Sequence, residues 1–372
     1  MADLPPTATS GVFSVYSRNN RELEGDINAQ LRESCQEGEE YEVKRLLKEG
    51  ADSYTCDEDG FNALHYATSA GHLICCRLIL SNDNDINAQS NNGCTALYVA
   101  AQSGYTKTVN ELISKGAQLD IPTRSTGHTA LVVAAEFGYH YIVQALVGAG
   151  CNTAHTIRGG FTALHVAAQN GRVEVLYHLI KAGCDVNTEN DGGWTPFMMA
   201  VWHGHYTAAE TLLKMGNAVV DAENESGRTA LCLAAVKHPQ LVKLCVNNGA
   251  NVNLQDAEYG WTPLHFAAST GQLDIIIFLN DHGADIHMQD KYGRLPYHLA
   301  AQQGYGAAVE TFQMLCVNPL ITDNQGFTAL DYAKEKGQQE VVGYINSYLN
   351  GETVQKIKEQ HQFKLDAQSE QS

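Results

Sequence analysis

A glycine followed by a short Thr-Ala-Leu or Thr-Pro-Leu type segment returns along almost the whole chain. The anchors are Gly60, Gly93, Gly127, Gly160, Gly193, Gly227, Gly260, Gly293 and Gly326, and successive anchors lie 33 or 34 residues apart. A fixed period of this size is the signature of a stacked repeat protein. It overrides the first expectation from 372 residues, two or three globular domains. One repeat cannot bury both of its faces, so the core must form between neighbours.

Local chemistry assigns an element to each part of the period. Thr95, Thr129, Thr162, Thr195, Thr229, Thr262 and Thr328 stand where a helix begins, and a threonine hydroxyl accepts an unmet N–H of the first turn. Pro196, Pro263 and Pro296 suit the first helical position. The pairs Ala100-Ala101, Ala134-Ala135, Ala167-Ala168 and Ala267-Ala268 let two helices approach closely. Gly71, Gly104, Gly138, Gly171, Gly204, Gly271 and Gly304 supply a left-handed residue that ends the first helix. Val173, Leu176, Leu179 and Ile180 form an apolar stripe on a second helix.

The fullest unit, GFTALHVAAQNGRVEVLYHLIKAGCDVN from Gly160 to Asn187, resembles the ankyrin repeat. GWTPLHFAASTGQLDIIIFLNDHGADIH from Gly260 to His287 and GCTALYVAAQSGYTKTVNELISKGAQLD from Gly93 to Asp120 carry the same pattern. The resemblance covers about Asp26 to Leu349. It implies an all-α solenoid of about ten helix-turn-helix units with β-hairpin-like finger loops. It also implies that His65, His165, His265 and His298 are structural hydrogen-bonding residues.

The expected organisation is a disordered segment over 1–25, a repeat array with caps over 26–350, and a weakly helical or disordered tail over 351–372. Leu31 to Gly50 reads as a degenerate first repeat, with Val43, Leu46 and Leu47 facing inward and Glu37, Glu39, Glu40 and Glu42 on its polar side. The last helix is expected over about Gln338–Leu349. Four irregularities stand out. Leu295 replaces a capping threonine, at a cost of about 1 kcal/mol. Cys316 replaces a helix-ending glycine, a further penalty if its φ is positive. Lys237-His238-Pro239 replaces a turn, predicting a second helix one residue short. The fingers before Gly127 and Gly227 each hold an extra residue.

Composition narrows the function classes. The chain carries 24 Lys and Arg against 42 Asp and Glu, a net charge of −18. That excludes nucleic acid as a partner, because phosphate binding needs clustered cations, and disfavours an anionic membrane surface. The opening residues lack a basic and apolar export signal, and no apolar run has transmembrane length. Ten cysteines without a CxxC pair read as reduced thiols in a cytosolic or nuclear protein. No nucleotide-binding loop, nucleophile elbow, zinc-protease or kinase motif is present. The His203/His205 pair lacks two further ligands for zinc. No enzyme, metal or cofactor is expected, and the array is expected to be monomeric.

In ankyrin repeats the residues flanking the anchor glycine lie on the finger, and the two after the alanine pair lie on the inner helix. Both line the concave face. On that register Phe137, Phe161, Trp194, Trp202, Tyr259, Trp261 and Tyr292 are candidate anchors for a partner protein, since aromatic residues dominate binding hot spots. Arg158, His203 and Arg228 are polar candidates beside them, with Glu136, Gln169, Asn170, Lys237 and Arg294 on the rim. An aromatic after an anchor glycine can equally pack on the next finger, so Trp194, Trp261, Phe61 and Phe161 keep both readings. Residues 1–60 hold fourteen acidic and six basic residues, which either caps and solubilises the array or steers a basic partner segment.

Three functions follow from the resemblance. The leading one is a non-catalytic scaffold or adaptor that binds protein. A second is a substrate-recognition subunit of a ubiquitin ligase, although residues 351–372 show no recruiting box. A third is asparaginyl hydroxylation, at Asn187 in LIKAGCDVN and at His287 in the matching frame LNDHGADIH.

Overall fold

The computed structural model describes residues 26–82 and 85–351. The segments expected to lack firm structure, 1–25 and all but Gly351 of 351–372, lie outside the described residues. The described chain contains twenty helices and no strand, only an isolated bridge between Thr322 and Thr328. The all-α expectation therefore holds.

The chain divides into two compact units at Ala218/Val219. The first is six helical hairpins: α1 (Ile27–Glu37) with α2 (Glu40–Lys48), α3 (Ala63–Ser69) with α4 (Leu73–Leu80), α5 (Ala96–Gln102) with α6 (Thr106–Ser114), α7 (Ala130–Phe137) with α8 (His140–Gly148), α9 (Ala163–Gln169) with α10 (Val173–Lys181), and α11 (Pro196–Trp202) with α12 (Tyr206–Gly216). The second is four: α13 (Ala230–Ala235) with α14 (Pro239–Asn247), α15 (Pro263–Ser269) with α16 (Leu273–Asp281), α17 (Pro296–Gln303) with α18 (Gly306–Met314), and α19 (Ala329–Glu335) with α20 (Gln339–Leu349). Within each unit, inner helices pack on inner helices and outer on outer, as α5 on α7 and α15 on α17. Within each unit the core is a row of alanine pairs, leucines and valines between consecutive hairpins.

The expected helix starts are present. All seven threonines have extended backbone and accept the N–H three residues on. Each turn glycine named above has positive φ. Space enforces the choice as well as φ: at Gly171 an added Cβ would lie 2.7 Å from Nδ1 of His205, which stacks over the turn from the next hairpin. The second-helix stripe is slightly different from expectation. Val175, Leu176 and Leu179 are fully buried, whereas Val173 and Ile180 are half-buried.

The irregular repeats resolve individually. Helix α14 has nine residues, the same as α10, so the expected shortening of the second helix is wrong. The missing residue comes out of the turn, where Val236–His238 replace a glycine turn and α13 keeps only six residues. The extra residue before Gly127 widens the finger, whose closing bond runs from Thr123 N–H to the His128 carbonyl. The one before Gly227 instead lengthens α12 to eleven residues, and Asn217 takes the left-handed position at φ 53°. Cys316 does adopt a positive φ, 63°.

Candidate functional site

Most fingers are pinned by a polar side chain three or four residues before the anchor glycine. Asp290 accepts backbone N–H groups from Tyr292 at 2.9 Å and Arg294 at 2.8 Å. Asp57, Asn190, Asn224, Asp256 and Asp323 do the same in their fingers. Asp57 is thus a turn-forming residue. Within each unit, neighbouring fingers are joined by one backbone bond each, as from Asp191 N–H to Gly159 O at 3.0 Å and from Lys291 N–H to Tyr259 O at 2.9 Å.

The recurring histidines tie each inner helix to the next finger. His165 Nδ1 accepts the Thr162 N–H at 3.2 Å, which leaves Nε2 protonated to donate to the Trp194 carbonyl at 2.9 Å. His65, His265 and His298 repeat this toward Cys94, Arg294 and Ile321. Burial in this apolar seam disfavours the imidazolium and pushes His165 and His265 down to about 4. The other two are lowered for the same reason. His205 is committed too: its Nε2 meets the Gln169 carbonyl at 3.0 Å, while His203 Nδ1 meets Met199 O at 2.9 Å.

On the face made by fingers and inner helices, the sequence-derived anchors separate into two kinds. Phe161 and Trp194 are 1% and 4% exposed. They pack beneath the surface, Phe161 edge-on to His165 at 5.9 Å and Trp194 edge-on to Trp202 at 6.1 Å. As direct contacts for a partner these two are corrected: they support the face and do not form it. Phe137 and Trp202 remain half-exposed in the first unit, with His203 also half-exposed and Arg158 exposed. Phe137 stacks on Tyr139 at 6.0 Å. Glu136 and Gln169, expected on the rim, are buried.

In the second unit Tyr259 and Trp261 are half-exposed and tilt against each other at 5.5 Å, and Tyr292 is 50% exposed. Trp261 is held edge-on to Phe266 at 5.2 Å and donates from Nε1 to Asp290 Oδ2 at 3.1 Å. Arg228 is not a free rim group. It bridges Asp256 at 3.3 Å and Glu258 at 2.6 Å with its guanidinium 5.5 Å from the Phe266 ring centre. Arg294 pairs with Asp290 at 2.8 Å and lies 4.9 Å from the Tyr292 ring centre. Both arginines brace fingers: Arg294 within its own finger, and Arg228 through the acids of the following one, which leave no signal in its own repeat.

Asn187 is half-buried and its N–H donates to Asp185 Oδ1 at 2.9 Å; His287 is exposed and its N–H donates to Asp285 Oδ1 at 2.8 Å. At the equivalent positions Asn87, Asp120 and Asn253 accept a backbone N–H from the following repeat at 2.8–2.9 Å. An asparagine here therefore has a structural use of its own.

A family model for ankyrin repeats in three copies matches residues 31–123, 76–157, 131–224 and 217–290. The chain belongs to the ankyrin repeat family. Among known proteins it is 42% identical over 89 residues to the human 2-5A-dependent ribonuclease, covering 22% of this chain and 12% of that protein. It is 33% identical over 136 residues to alpha-latrotoxin-Lh1a of Latrodectus hasselti, covering 35% of this chain and 9% of the toxin. It is 33% identical over 132 residues to ankyrin repeat domain-containing protein 63 of Mus musculus, covering 33% and 34% respectively. The chain thus spans about a third or less of the length of these relatives. Ankyrin repeats are interaction modules, which makes protein the partner class. No helix among the described residues is long and apolar enough to cross a membrane.

Proposed function

We propose that this ankyrin protein is a non-catalytic scaffold or adaptor that holds a partner protein on the face built by its fingers and inner helices. The observation that carries the reading is Trp202. It stands half-exposed on α11, where neighbouring inner helices present polar or small side chains, and it rests edge-on against the buried Trp194. A large aromatic whose rotamer is fixed from below offers contact area at low entropy cost, as binding hot spots do. Tyr259, Trp261 and Tyr292 give the second unit a comparable aromatic surface, again braced from beneath by Phe266 and Asp290. All ten thiols are free, which suits a reducing compartment, the cytoplasm or the nucleus.

The test is affinity capture with quantitative mass spectrometry using the wild type, Trp202→Ala and Trp261→Ala. A partner recovered by the wild type should drop at least about tenfold with one of the variants, as expected for a hot-spot aromatic. Unfolding curves confirm that each variant is folded. Undiminished recovery by both folded variants contradicts the reading.

A further inference from the structure

A hollow of about 360 Å³ opens on the finger and inner-helix face of the first three hairpins, away from the tryptophans. It falls in the volume range of small-ligand sites, roughly 300–1,000 Å³. Its origin is a loss of size at particular positions. The two positions that follow the alanine pair or its equivalent hold Glu136-Phe137, Gln169-Asn170 and Trp202-His203 in the later hairpins of this unit, whereas three of the four here are small, Ser69, Ala70 and Ser103 beside Gln102. Phe61, Tyr66 and Tyr105 supply aromatic lining.

Two polar groups in the lining point to an occupant. The Nε2 amide of Gln102 is buried and has no hydrogen-bond partner. A buried donor left unmet costs about 1–3 kcal/mol, which a carbonyl from a ligand would recover. Glu37 is exposed at the edge of the hollow and forms no ion pair among the described residues. It belongs to a strongly acidic stretch, since residues 26–60 hold eleven Asp and Glu against four Lys and Arg. The hollow therefore combines aromatic walls, an unmet amide donor and a carboxylate in a negative field. That set complements a guanidinium on a peptide: the flat cation stacks on rings and pairs with a carboxylate, while a peptide carbonyl takes the amide N–H. The second unit shows the same chemistry satisfied internally. Arg228 and Arg294, each next to an anchor glycine, lie over Phe266 and Tyr292 and pair with acids. At the corresponding position of the second hairpin stands Phe61, with no arginine among the described residues over its ring.

We propose that this hollow is the docking pocket for an arginine in an extended segment of the partner protein. The guanidinium lies against the aromatic lining and pairs with Glu37, and a carbonyl of the segment accepts from Gln102. The inference rests on the reading of this face as protein-binding and adds the partner's chemistry and a second anchor point.

The experiment is selection of random peptides displayed on phage against the full chain, followed by binding of the enriched peptides in synthetic form. Enriched peptides should carry an arginine. Its replacement by leucine should weaken binding at least about tenfold, and Glu37→Gln several-fold, the second effect shrinking at high salt. Ala70→Phe, which fills the hollow, should abolish binding, and Glu174→Gln on the exposed outer surface of α10 should leave it unchanged. Glu37 is exposed, so its variant tests the pocket even if Ala70→Phe does not fold. Enriched peptides without arginine, or indifferent to Glu37→Gln, overturn the proposal, as does a selection that enriches nothing. Peptides indifferent to Glu37→Gln and Ala70→Phe but lost with Trp202→Ala would remove the pocket and leave the tryptophan face standing.

Discussion

His165 and His265 spend both ring nitrogens on neutral hydrogen bonds inside an apolar seam. An unfolded histidine titrates near 6.5, whereas these two are held down to about 4. Above pH 6.5 both states are neutral and their contribution to stability is complete. Between 6.5 and about 4 the unfolded chain takes up protons that the folded chain refuses, so stability falls as pH falls through that window. Urea midpoints measured across it should decline, and more shallowly in His165→Gln, which can still donate to the Trp194 carbonyl but cannot titrate. An unaltered slope would mean that His165 does not contribute to the acid lability. A second residue-level outcome concerns Cys316, an exposed side chain at φ 63°. A left-handed non-glycine residue costs roughly 1–2 kcal/mol, partly offset by the extra unfolded-state entropy of glycine. Cys316→Gly should therefore stabilise by about 0.5–1 kcal/mol, read as a higher urea midpoint at constant m-value.

At the scale of the element, α17 begins without a side-chain cap, since Leu295 stands in the threonine's place. The His298 N–H is met instead by the Leu295 carbonyl at 3.0 Å, His298 Nδ1 accepts the Leu295 N–H at 3.0 Å as in the capped repeats, and the leucine is 1% exposed. Burying a leucine contributes about 2 kcal/mol against about 1 kcal/mol for a cap. Leu295→Thr, which looks like a repair in the sequence, should thus destabilise by about 1 kcal/mol in chemical denaturation. Stabilisation by that change would show that the cap outweighs the packing. The same contrast explains what was legible beforehand. Helix starts and turn glycines were readable because one backbone demand selects one residue type at one position. Whether an aromatic after the anchor is buried, as Phe161 and Trp194 are, or half-exposed, as Trp261 is, depends on the next repeat. Arg228 looked like a rim cation because its acids, Asp256 and Glu258, arrive from the following finger. The hollow left no positive signal, being made by small residues where larger ones stand in the later hairpins of the first unit.

At the scale of the whole molecule, stability should behave as a sum of neighbour interfaces. The four hairpins of the second unit offer a direct test. Helices α17 and α18 pack on α19 and α20. Across that junction the buried Gln313 donates from Nε2 to the Tyr297 hydroxyl at 3.2 Å and the Tyr344 carbonyl at 3.5 Å. A chain ending before Ala329 loses the second of these acceptors and uncovers Val309 and Phe312, which are fully buried in the intact protein. Nearest-neighbour coupling then predicts a graded response in amide hydrogen exchange. Protection should fall most in α17 and α18, less in α15 and α16, and least in α13 and α14. If all six remaining helices instead lost protection equally, the unit would be a single cooperative block. Irregular hairpins such as the one built on the Val236–His238 turn would then be shielded by their neighbours. A graded loss would place the weakest point of the unit at its end, where each hairpin has a neighbour on one side alone.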